Sequence, residues 1–420
     1  MNRIVKNLLG LYILFLPIFR YYELPGGSNL YLAIANILVV YLIVRKRYID
    51  ISSRLTKGAL FFIIWVLLVS LVAYNFAPYK NLIQPTSLNN LIVLCDWIFI
   101  AVACFHGAIV FDDFVKIYKI ICYILCIYIF FQIAGIHIPG LTMTGRISFL
   151  NVSSIYSVRG NNFGVYPNGV FTRYSSLFIE PSHFSQYIAP FLCFSLFGYK
   201  DIIKKNIITA GIVSVLMVMS ISGTSIAIVL MIWFYYILTE IKELNLTKLM
   251  LLIAIFAFII VGVILALRNA GIALMLERML NSGDSKVSDR VTRGFLVFME
   301  LPLFQKIFGI GYQCVYPASF EYGIQIGSEV ANNVKEYVND IASILLSFGI
   351  IGFIPVTILL KNCMLGAKKG EIAMYLTCLA IFISEATFGA IWLMLICCCI
   401  VSHKSRNTEF LNFEGERYGI

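Results

Sequence analysis

The stretch TRYSSLFIEPSHFSQY, residues 172–187, places Arg173, Glu180 and His183 around Pro181, where a new apolar segment begins. Proline is favoured at the first position of a helix, where its missing amide hydrogen costs little, so a helix is predicted to start at Pro181. The apolar residues that follow predict that this helix enters a membrane. The stretch is therefore a junction between a polar connection and a hydrophobic span.

The composition of the whole chain excludes a soluble globule. Of its 420 residues, 60% are hydrophobic and 13% are charged, and the mean hydropathy is +0.88. Apolar runs of about 20 residues, the length that crosses a bilayer as a helix, recur along nearly the whole sequence. Because a backbone in lipid must satisfy its own hydrogen bonds, such continuous runs predict helices and not barrel strands. The predicted fold class is all-α, a polytopic integral membrane protein.

About twelve transmembrane helices are predicted from these runs. Pro17 and Arg20 stand where a signal-peptide cleavage site needs small residues, so the N-terminal run is predicted to be a retained first span. The predicted spans lie near residues 4–19, 29–44, 58–74, 88–110, 114–134, 182–199, 206–221, 223–238, 249–267, 338–360, 372–386 and 388–402.

Basic connections between the spans predict the orientation of the chain. Those at residues 45–57, 199–205, 239–248 and 361–371 alternate so that all lie on one face, and the positive-inside rule assigns that face to the cytoplasm. Both termini then lie in the cytoplasm. The net charge of +10 follows from these connections, so no nucleic-acid partner is expected.

Two long connections are consequently expected on the outer face. The chain is predicted to be a single membrane domain, residues 1–420, with outer loop one at 135–181 and outer loop two at 268–337. Long ordered loops on a rigid scaffold commonly carry function, which predicts extracytoplasmic chemistry. Nearly all of the eleven cysteines lie in apolar runs and no His, Asp and Glu set has metal-ligand spacing, so no disulfide, metal or cofactor is expected.

Outer loop one gathers arginines without a carboxylate until Glu180. Its charged residues before that point are Arg146, Arg159 and Arg173. The planar fork of arginine suits phosphate oxygens, so an anionic partner is one interpretation, and binding of lipid headgroups or loop carbonyls is the other. Arg173 is the strongest candidate because it lies close to the membrane surface.

The first turn of the helix after Pro181 carries two further candidates. Glu180 either caps the helix or acts as a general base on a nearby hydroxyl. His183 can assist in either role, and the alternative is a hydrogen-bonded surface histidine.

Outer loop two contains SDRVTRGFLVFMELPLF, residues 288–304, in which a predicted helix brings Arg290 and Arg293 onto one face. These arginines either anchor to headgroups or hold a lipid-linked phosphate. The apolar residues expected at the membrane interface are Val291, Phe295, Phe298 and Met299. Further along, Gly309 and Gly311 permit a tight turn that brings backbone amides near a ligand.

Charged and titratable residues also lie within the predicted spans. Asp96 lies roughly 12 Å below the outer end of its span, and Glu385 and His106 lie in others. A carboxylate inside the membrane is costly, so Asp96 is expected to face a partner, such as an arginine, or a wet cavity.

Five segments in order resemble the bacterial O-antigen and capsular polysaccharide polymerase family, which is related to the O-antigen ligases. They are RYSSLFIEPSHF (173–184), SISGTS (220–225), SDRVTRG (288–294), Pro302 followed by FGIG (308–311), and VNDIASILLSFGIIG (338–352). The resemblance implies a metal-independent membrane glycosyltransferase. It would transfer a glycan from undecaprenyl pyrophosphate to the non-reducing end of another lipid-linked repeat unit, at the outer face of the bacterial cytoplasmic (inner) membrane.

The resemblance also implies roles for individual residues. Arg173 and Arg290, with Arg293 beside it, fall on positions expected to hold the pyrophosphate, and Glu180 on the acidic position of the first motif. Asn339 and Asp340 fall where sugar hydroxyls or the acceptor would bind, and Glu180 and Asp340 are the candidate bases. The implied partners are the undecaprenyl-pyrophosphate-linked oligosaccharide, membrane lipids, and a chain-length regulator and flippase of the same pathway.

Two departures from the family pattern bear on this interpretation. Thr224 follows Ser222-Gly223 where many relatives have an arginine, and no histidine lies between Arg268 and Tyr337, where ligases typically carry one. The missing histidine favours a polymerase over a ligase. A lipid-linked oligosaccharide flippase or other transporter is the alternative from a different class, although paired repeats and mid-membrane polar residues in both halves are expected for transporters.

Overall fold

The computed structural model describes residues 3–23, 30–44, 53–135, 138, 143–147, 150–152, 165–167, 172–240, 286–324, 338–364 and 366–384. In these ranges the chain is mainly helical, with two short antiparallel strand pairs. Five helices within the described ranges are long and apolar enough to cross a membrane: Leu55–Phe76, Thr86–Ala108, Phe111–Gly135, Gly223–Glu240 and Asp340–Ile358. The prediction of a helical chain is confirmed, and these apolar helices are compatible with a membrane protein.

Each predicted span within the described ranges coincides with a helix, and the spans at 249–267 and 388–402 lie outside those ranges. The helices are α1 (Arg3–Phe19), α2 (Leu30–Val44), α3 (Arg54–Phe76), α4 (Thr86–Ala103), α5 (Phe111–Gly135), α6 (Pro181–Phe197), α7 (Ile207–Met219), α8 (Gly223–Glu240), α9 (Lys286–Glu300), α10 (Leu303–Phe308), α11 (Val315–Glu321), α12 (Asp340–Met364) and α13 (Lys369–Ser384). The strands are β1 (Tyr22–Glu23), paired with β2 (Asn151–Val152), and β3 (Val165–Pro167), paired with β4 (Thr172–Tyr174).

The chain divides into two compact units, each built from separated stretches of sequence. The first comprises Met1–Tyr31, Val110–Asp284 and Ala367–Ala380, and the second comprises Leu32–Ile109, Ser285–Gly366 and Ile381–Ile420. Because the stretches interleave along the sequence, the division does not test the expectation of one membrane domain over residues 1–420.

Helix α6 is the centre of the first unit. It packs against α5, α7 and α8, and its residues from Phe184 to Leu196 are all buried. A helix that is apolar on every side is expected to be enclosed by other helices. Buried tyrosines link it to its neighbours, since the Tyr118 hydroxyl donates to the Tyr187 carbonyl (2.5 Å) and the Tyr187 hydroxyl donates to the Leu14 carbonyl (3.0 Å).

Ion pairs join helix ends in the first unit. Arg3 in α1 contacts both carboxylate oxygens of Asp113 in α5, at 2.8 and 2.9 Å. The buried carboxylate of Glu240, at the end of α8, accepts hydrogen bonds from Lys205 (2.5 Å) and Lys369 (2.8 Å). The two carboxylates are largely shielded from water, and pairing with cations offsets the cost of burying them.

The second unit is organised by a break in the middle of α12. Gly349 has φ 68° and ψ −175°, which interrupts the helix. The carbonyls just before the break accept hydrogen bonds from elsewhere: Leu346 from the Ile310 amide (3.0 Å), Ser347 from the Gly311 amide (2.9 Å), and Phe348 from the Trp65 indole (2.8 Å). In lipid, carbonyls freed by a helix break must find such partners within the protein.

Side chains of α3 and of the turn after it form further hydrogen bonds with the backbone of residues 310–312. The Tyr79 hydroxyl donates to the Ile310 carbonyl (2.8 Å), and the Tyr74 hydroxyl donates to the Tyr312 carbonyl (2.9 Å). The Tyr312 amide donates to the Ser70 hydroxyl (3.1 Å). Burial raises the pKa of Tyr79 above its ordinary value, which keeps this hydroxyl protonated as a donor.

Helix α9 packs against the start of α12 at a glycine. A Cβ atom added to Gly294 would lie 2.5 Å from the Ala342 Cβ atom and 2.5 Å from the Val338 Cγ1 atom. Val297 of α9 and Leu301, just after the helix, lie in the core of the unit. The two elements are therefore held in close contact along one face of α9.

We predict that Gly349→Ala destabilises the protein whereas Gly58→Ala does not. A Cβ atom on Gly349 would lie 2.3 Å from the Ile307 carbonyl oxygen, and its backbone conformation suits only glycine, whereas nothing lies within 4 Å of a Cβ atom on Gly58. Gly349→Ala should lower the free energy of unfolding by at least about 3 kcal/mol. Thermal unfolding of the two purified variants measures this, and equal midpoints would contradict it.

Candidate functional site

The predicted site residues fall into two groups, one in each unit. Arg173, Glu180 and His183 belong to the first unit. The members of the second unit are Asp96, Arg290, Arg293, Gly309, Gly311, Asn339 and Asp340.

Arg173 is half-buried and lies in strand β4, where it pairs with Tyr166 of β3. Its Nε atom donates a hydrogen bond to the Ile221 carbonyl in the turn between α7 and α8 (2.9 Å). Ile221 has φ 56°, a left-handed conformation that is costly for a β-branched residue. Arg173 therefore supports a strained turn through a carbonyl, which was one of the alternatives considered for the arginines of this loop.

The residues after Arg173 are fixed by a buried glutamine that the sequence motif did not reveal. Gln132 of α5 donates to the Ser176 carbonyl (3.1 Å) and accepts from the Ser176 amide (2.9 Å). The Ser175 hydroxyl donates to the Phe178 carbonyl (2.6 Å). The paired serines of RYSSLF thus shape the backbone that leads to Glu180.

Glu180 occupies the N-cap position of α6, directly before Pro181, as predicted. Its side chain makes no capping hydrogen bond, although its backbone carbonyl accepts from the His183 amide (3.1 Å). The side chain is half-buried. The capping role considered for this carboxylate is therefore not seen, and part of the side chain remains accessible.

His183 packs on Tyr21, which follows α1. The Tyr21 hydroxyl and the His183 Nδ1 atom are 2.7 Å apart, and the two rings stack with centroids 6.2 Å apart. Tyr21 is fully buried. This contact ties the first turn of α6 to the end of α1, as expected for a hydrogen-bonded histidine.

A cluster of buried hydroxyl groups lies where α6 meets α8. Ser185 contacts Ser225 through their hydroxyls, and Ser225 lies 3.0 Å from the Ser220 hydroxyl. Ser222, in the turn before α8, is also buried. The segment SISGTS therefore supplies hydroxyls to the interior of the first unit, beside Ser185 of α6.

Gln186 follows Ser185 and is fully buried. Within the part of the chain that the structure describes, neither its Oε1 nor its Nε2 atom has a hydrogen-bond partner. Pro190, one turn later, has no amide hydrogen to donate to the Gln186 carbonyl. Because an unpaired amide in a dry interior is costly, Gln186 is a candidate ligand-binding residue that sequence analysis missed.

In the second unit, the structure brings the arginine helix and the Asn339-Asp340 pair together. Arg293 precedes Gly294. A Cβ atom added to Gly294 would meet Val338, just before Asn339, and Ala342, two residues after Asp340. The side chains of Arg290 and Val291 lie outside the described part of the structure. The Arg293 side chain is half-buried.

Asn339 and Asp340 are both buried. The Asn339 side-chain oxygen accepts from the Ala342 amide (2.9 Å), so Asn339 caps α12. Asp340 is fully enclosed in the first turn. A sugar hydroxyl could reach this carboxylate only after neighbouring side chains move.

Gly309 and Gly311 have a structural role in place of the predicted one. The Gly309 amide donates to the Gln305 carbonyl (2.8 Å), and the Gly311 amide donates to the Ser347 carbonyl (2.9 Å). The neighbouring amides of Ile310 and Tyr312 donate to the Leu346 carbonyl and the Ser70 hydroxyl. These backbone donors are directed at the protein itself, so they do not form the ligand turn expected from the sequence.

The titratable residues inside the spans differ in their surroundings. Asp96 lies in α4, and its Oδ2 atom is buried without a hydrogen-bond partner among the described residues, so the arginine pair considered for it is not seen there. The His106 Nε2 atom lies 2.6 Å from the Thr56 hydroxyl. Glu385 and Arg159 lie outside the described residues.

The apolar face of α9 differs from the one predicted. Phe295 and Phe298 pack against the core, whereas Leu296 is exposed together with Met299.

In the described ranges, no group of three or more His, Cys, Asp or Glu residues could hold a metal ion.

A scan against models of protein families found no family that matches the chain, and a search of curated proteins found no match. Function is therefore inferred from the residues and their geometry.

We predict opposite results for the same substitution at two buried glutamines. Gln186→Met should leave the thermal midpoint unchanged or raised, because its amide has no described partner. Gln132→Met should lower the free energy of unfolding by about 2 kcal/mol or more, since it leaves the Ser176 amide and carbonyl unpaired. Thermal unfolding of both variants in one detergent decides this, and an equal loss in both would contradict it.

Proposed function

We propose that this chain is a polysaccharide repeat-unit polymerase of the O-antigen and capsule type. It transfers a growing glycan from undecaprenyl pyrophosphate to the non-reducing end of another lipid-linked repeat unit. The proposal joins the ordered motifs of the sequence with a helical chain whose long apolar helices are suited to a membrane.

The contact between α9 and the start of α12 carries the proposal. SDRVTRG and VNDIASILLSFGIIG are separated in sequence, yet Gly294 of the first lies against Ala342 of the second. Arg293 and Asp340 thus occupy packed neighbouring elements. A cation beside polar residues at the end of a membrane span suits a lipid-linked, phosphate-bearing sugar.

The proposed chemistry uses the charge of arginine. An acceptor hydroxyl oxygen attacks the anomeric carbon of the donor, the bond from that carbon to the pyrophosphate oxygen breaks, and the pyrophosphate leaves with the electron pair. Arg290 and Arg293, in the helix that packs against the start of α12, stabilise the negative charge that develops on the leaving group. A carboxylate takes the proton of the attacking hydroxyl.

Of the two candidate carboxylates, Glu180 is the more accessible. The Glu180 side chain is half-buried at the start of α6, whereas Asp340 is fully enclosed. A general base must come within hydrogen-bond reach of the proton that it removes, which an accessible carboxylate achieves without rearrangement. Asp340 and Asn339 then position the start of α12 beside Arg293.

The proposed setting is the bacterial cytoplasmic membrane, with about twelve spans and both termini in the cytoplasm. The two long connections would lie on the outer face, where lipid-linked repeat units are joined. A flippase that delivers these units and a regulator of chain length are the partners that the resemblance to the polymerase family implies.

The size distribution of surface polysaccharide in cells that lack this protein tests the proposal. Single repeat units should accumulate where a ladder of lengths is normally formed, because no enzyme joins the units. Full-length chains left on the lipid carrier would instead identify a ligase. Repeat units retained on the cytoplasmic side would identify a flippase, and either result would overturn the polymerase proposal.

Arg293→Ala should abolish or shorten the ladder in complemented cells, whereas Lys80→Ala should restore it fully. Lys80 is an exposed cation in the turn between α3 and α4 of the same unit, so it controls for loss of one positive charge. The expected loss of polymer is at least about 100-fold, the usual cost of removing a donor to developing charge. Immunoblotting must show equal amounts of both variants, and a normal ladder with Arg293→Ala would exclude this arginine from the site.

A further inference from the structure

Part of the second long connection contacts the middle of a membrane-spanning helix. The Phe308 ring lies 6.0 Å from the Trp65 ring. Trp65 is about 17 Å along α3 from its end at Phe76, at about 1.5 Å per residue. Since the hydrocarbon region is about 30 Å thick, Trp65 marks the membrane centre. The end of α10 therefore reaches the depth of the membrane centre.

The break in α12 also lies inside the membrane. From residue 350 to Lys361, the first charged residue after the break, α12 extends about 17 Å, which is too short to cross about 30 Å of hydrocarbon. The residues before Gly349 must then contribute to the span. Because the Gly309 and Gly349 backbones lie in direct contact, the segment around Gly309 is inside the membrane as well.

We propose that residues 303–313 form a re-entrant segment, which enters the hydrocarbon from the face where α3 ends and α12 begins, reaches the level of Trp65, and returns. We further propose that an apolar surface on α9 and α10 contacts phospholipid acyl chains. This surface, the α9–α10 face, consists of Leu296, Met299, Leu303 and Phe304, which are 61%, 69%, 73% and 65% exposed.

The hydrogen bonding of the segment fits this depth. Irregular backbone is tolerated within a membrane only where the protein supplies its hydrogen-bond partners. The amides of residues 309–312 all donate to protein acceptors. The carbonyls of Ile310 and Tyr312 accept from tyrosine hydroxyls. The segment can therefore lie in hydrocarbon without unpaired amides at its turn.

The charged residue of α10 is also placed as expected. The Lys306 Nζ atom donates to the Met299 carbonyl (2.6 Å), near the end of α9. A lysine inside a membrane extends its charged group toward the polar boundary while its methylene groups stay among apolar neighbours. The direction of Lys306 thus agrees with an α10 that descends from the boundary.

Lipid is the occupant that the surroundings favour for the α9–α10 face. The helices that hold the segment carry exposed apolar residues of their own, including Leu68 and Val72 in α3 and Ile350 and Ile354 in α12. In water such a large apolar surface would be unfavourable, but at this depth acyl chains cover it. Contact of this face with lipid does not depend on the proposed polymerase activity.

Cysteine labelling in lipid nanodiscs, which leave both membrane faces accessible, tests the depth of the segment. Phe304→Cys should react with a charged, membrane-impermeant maleimide at least about tenfold more slowly than Asn81→Cys, because hydrocarbon suppresses the reactive thiolate. Asn81 is exposed in the turn between α3 and α4. The wild-type chain provides the background from native cysteines. Equal labelling rates would overturn the re-entrant segment.

Quenching by phospholipids brominated on their acyl chains identifies the occupant. Phe304→Trp should add fluorescence that these lipids quench, whereas the fluorescence added by Asn81→Trp should be quenched much less. Slow cysteine labelling without such quenching would mean that protein, such as a second copy of the chain, covers the face, and it would overturn the lipid assignment. Neither measurement uses catalytic activity, so failure here is distinguishable from failure of the polymerase proposal.

Discussion

The hydrogen-bond requirement of a backbone in lipid organises the second unit. At Gly349 a membrane helix breaks, and the carbonyls exposed by the break bind the amides of Ile310 and Gly311 and the indole of Trp65. A connection that would otherwise remain at the surface is thereby attached to two helices. Helix α9, which carries Arg293, is held by a different contact, that of Gly294 with Val338 and Ala342 at the start of α12.

The first unit meets the same requirement with side chains. Gln132 pairs with the backbone of Ser176, and Arg173 supports the carbonyl of the strained Ile221. Polar residues that resemble a binding motif in the sequence therefore also determine the conformation of the chain. Gln186 differs from these residues, because its amide has no partner in the described part of the structure.

Sequence periodicity and hydropathy predict the helices well, because the length and apolar character of a span are local properties. The helix start at Pro181 was predicted from the same kind of local signal. The partners of Gly309 and Gly311 were not predictable, because the carbonyls that bind their amides lie far along the chain. For the same reason, the sequence does not show whether a glutamine within an apolar run will find a hydrogen-bond partner, as Gln132 does. The predicted catalytic roles remain predictions.

The contact between Gly309 and Gly349 has a consequence for how the chain can evolve. A Cβ atom on either residue would meet backbone atoms of the other segment, at 2.3 Å from the Ser347 or the Ile307 carbonyl oxygen. Backbone cannot be made smaller by a second substitution, so no neighbouring change can compensate for the loss of one glycine. The two positions are expected to be inherited as a pair, and a descendant that lost one would have to rebuild both segments together.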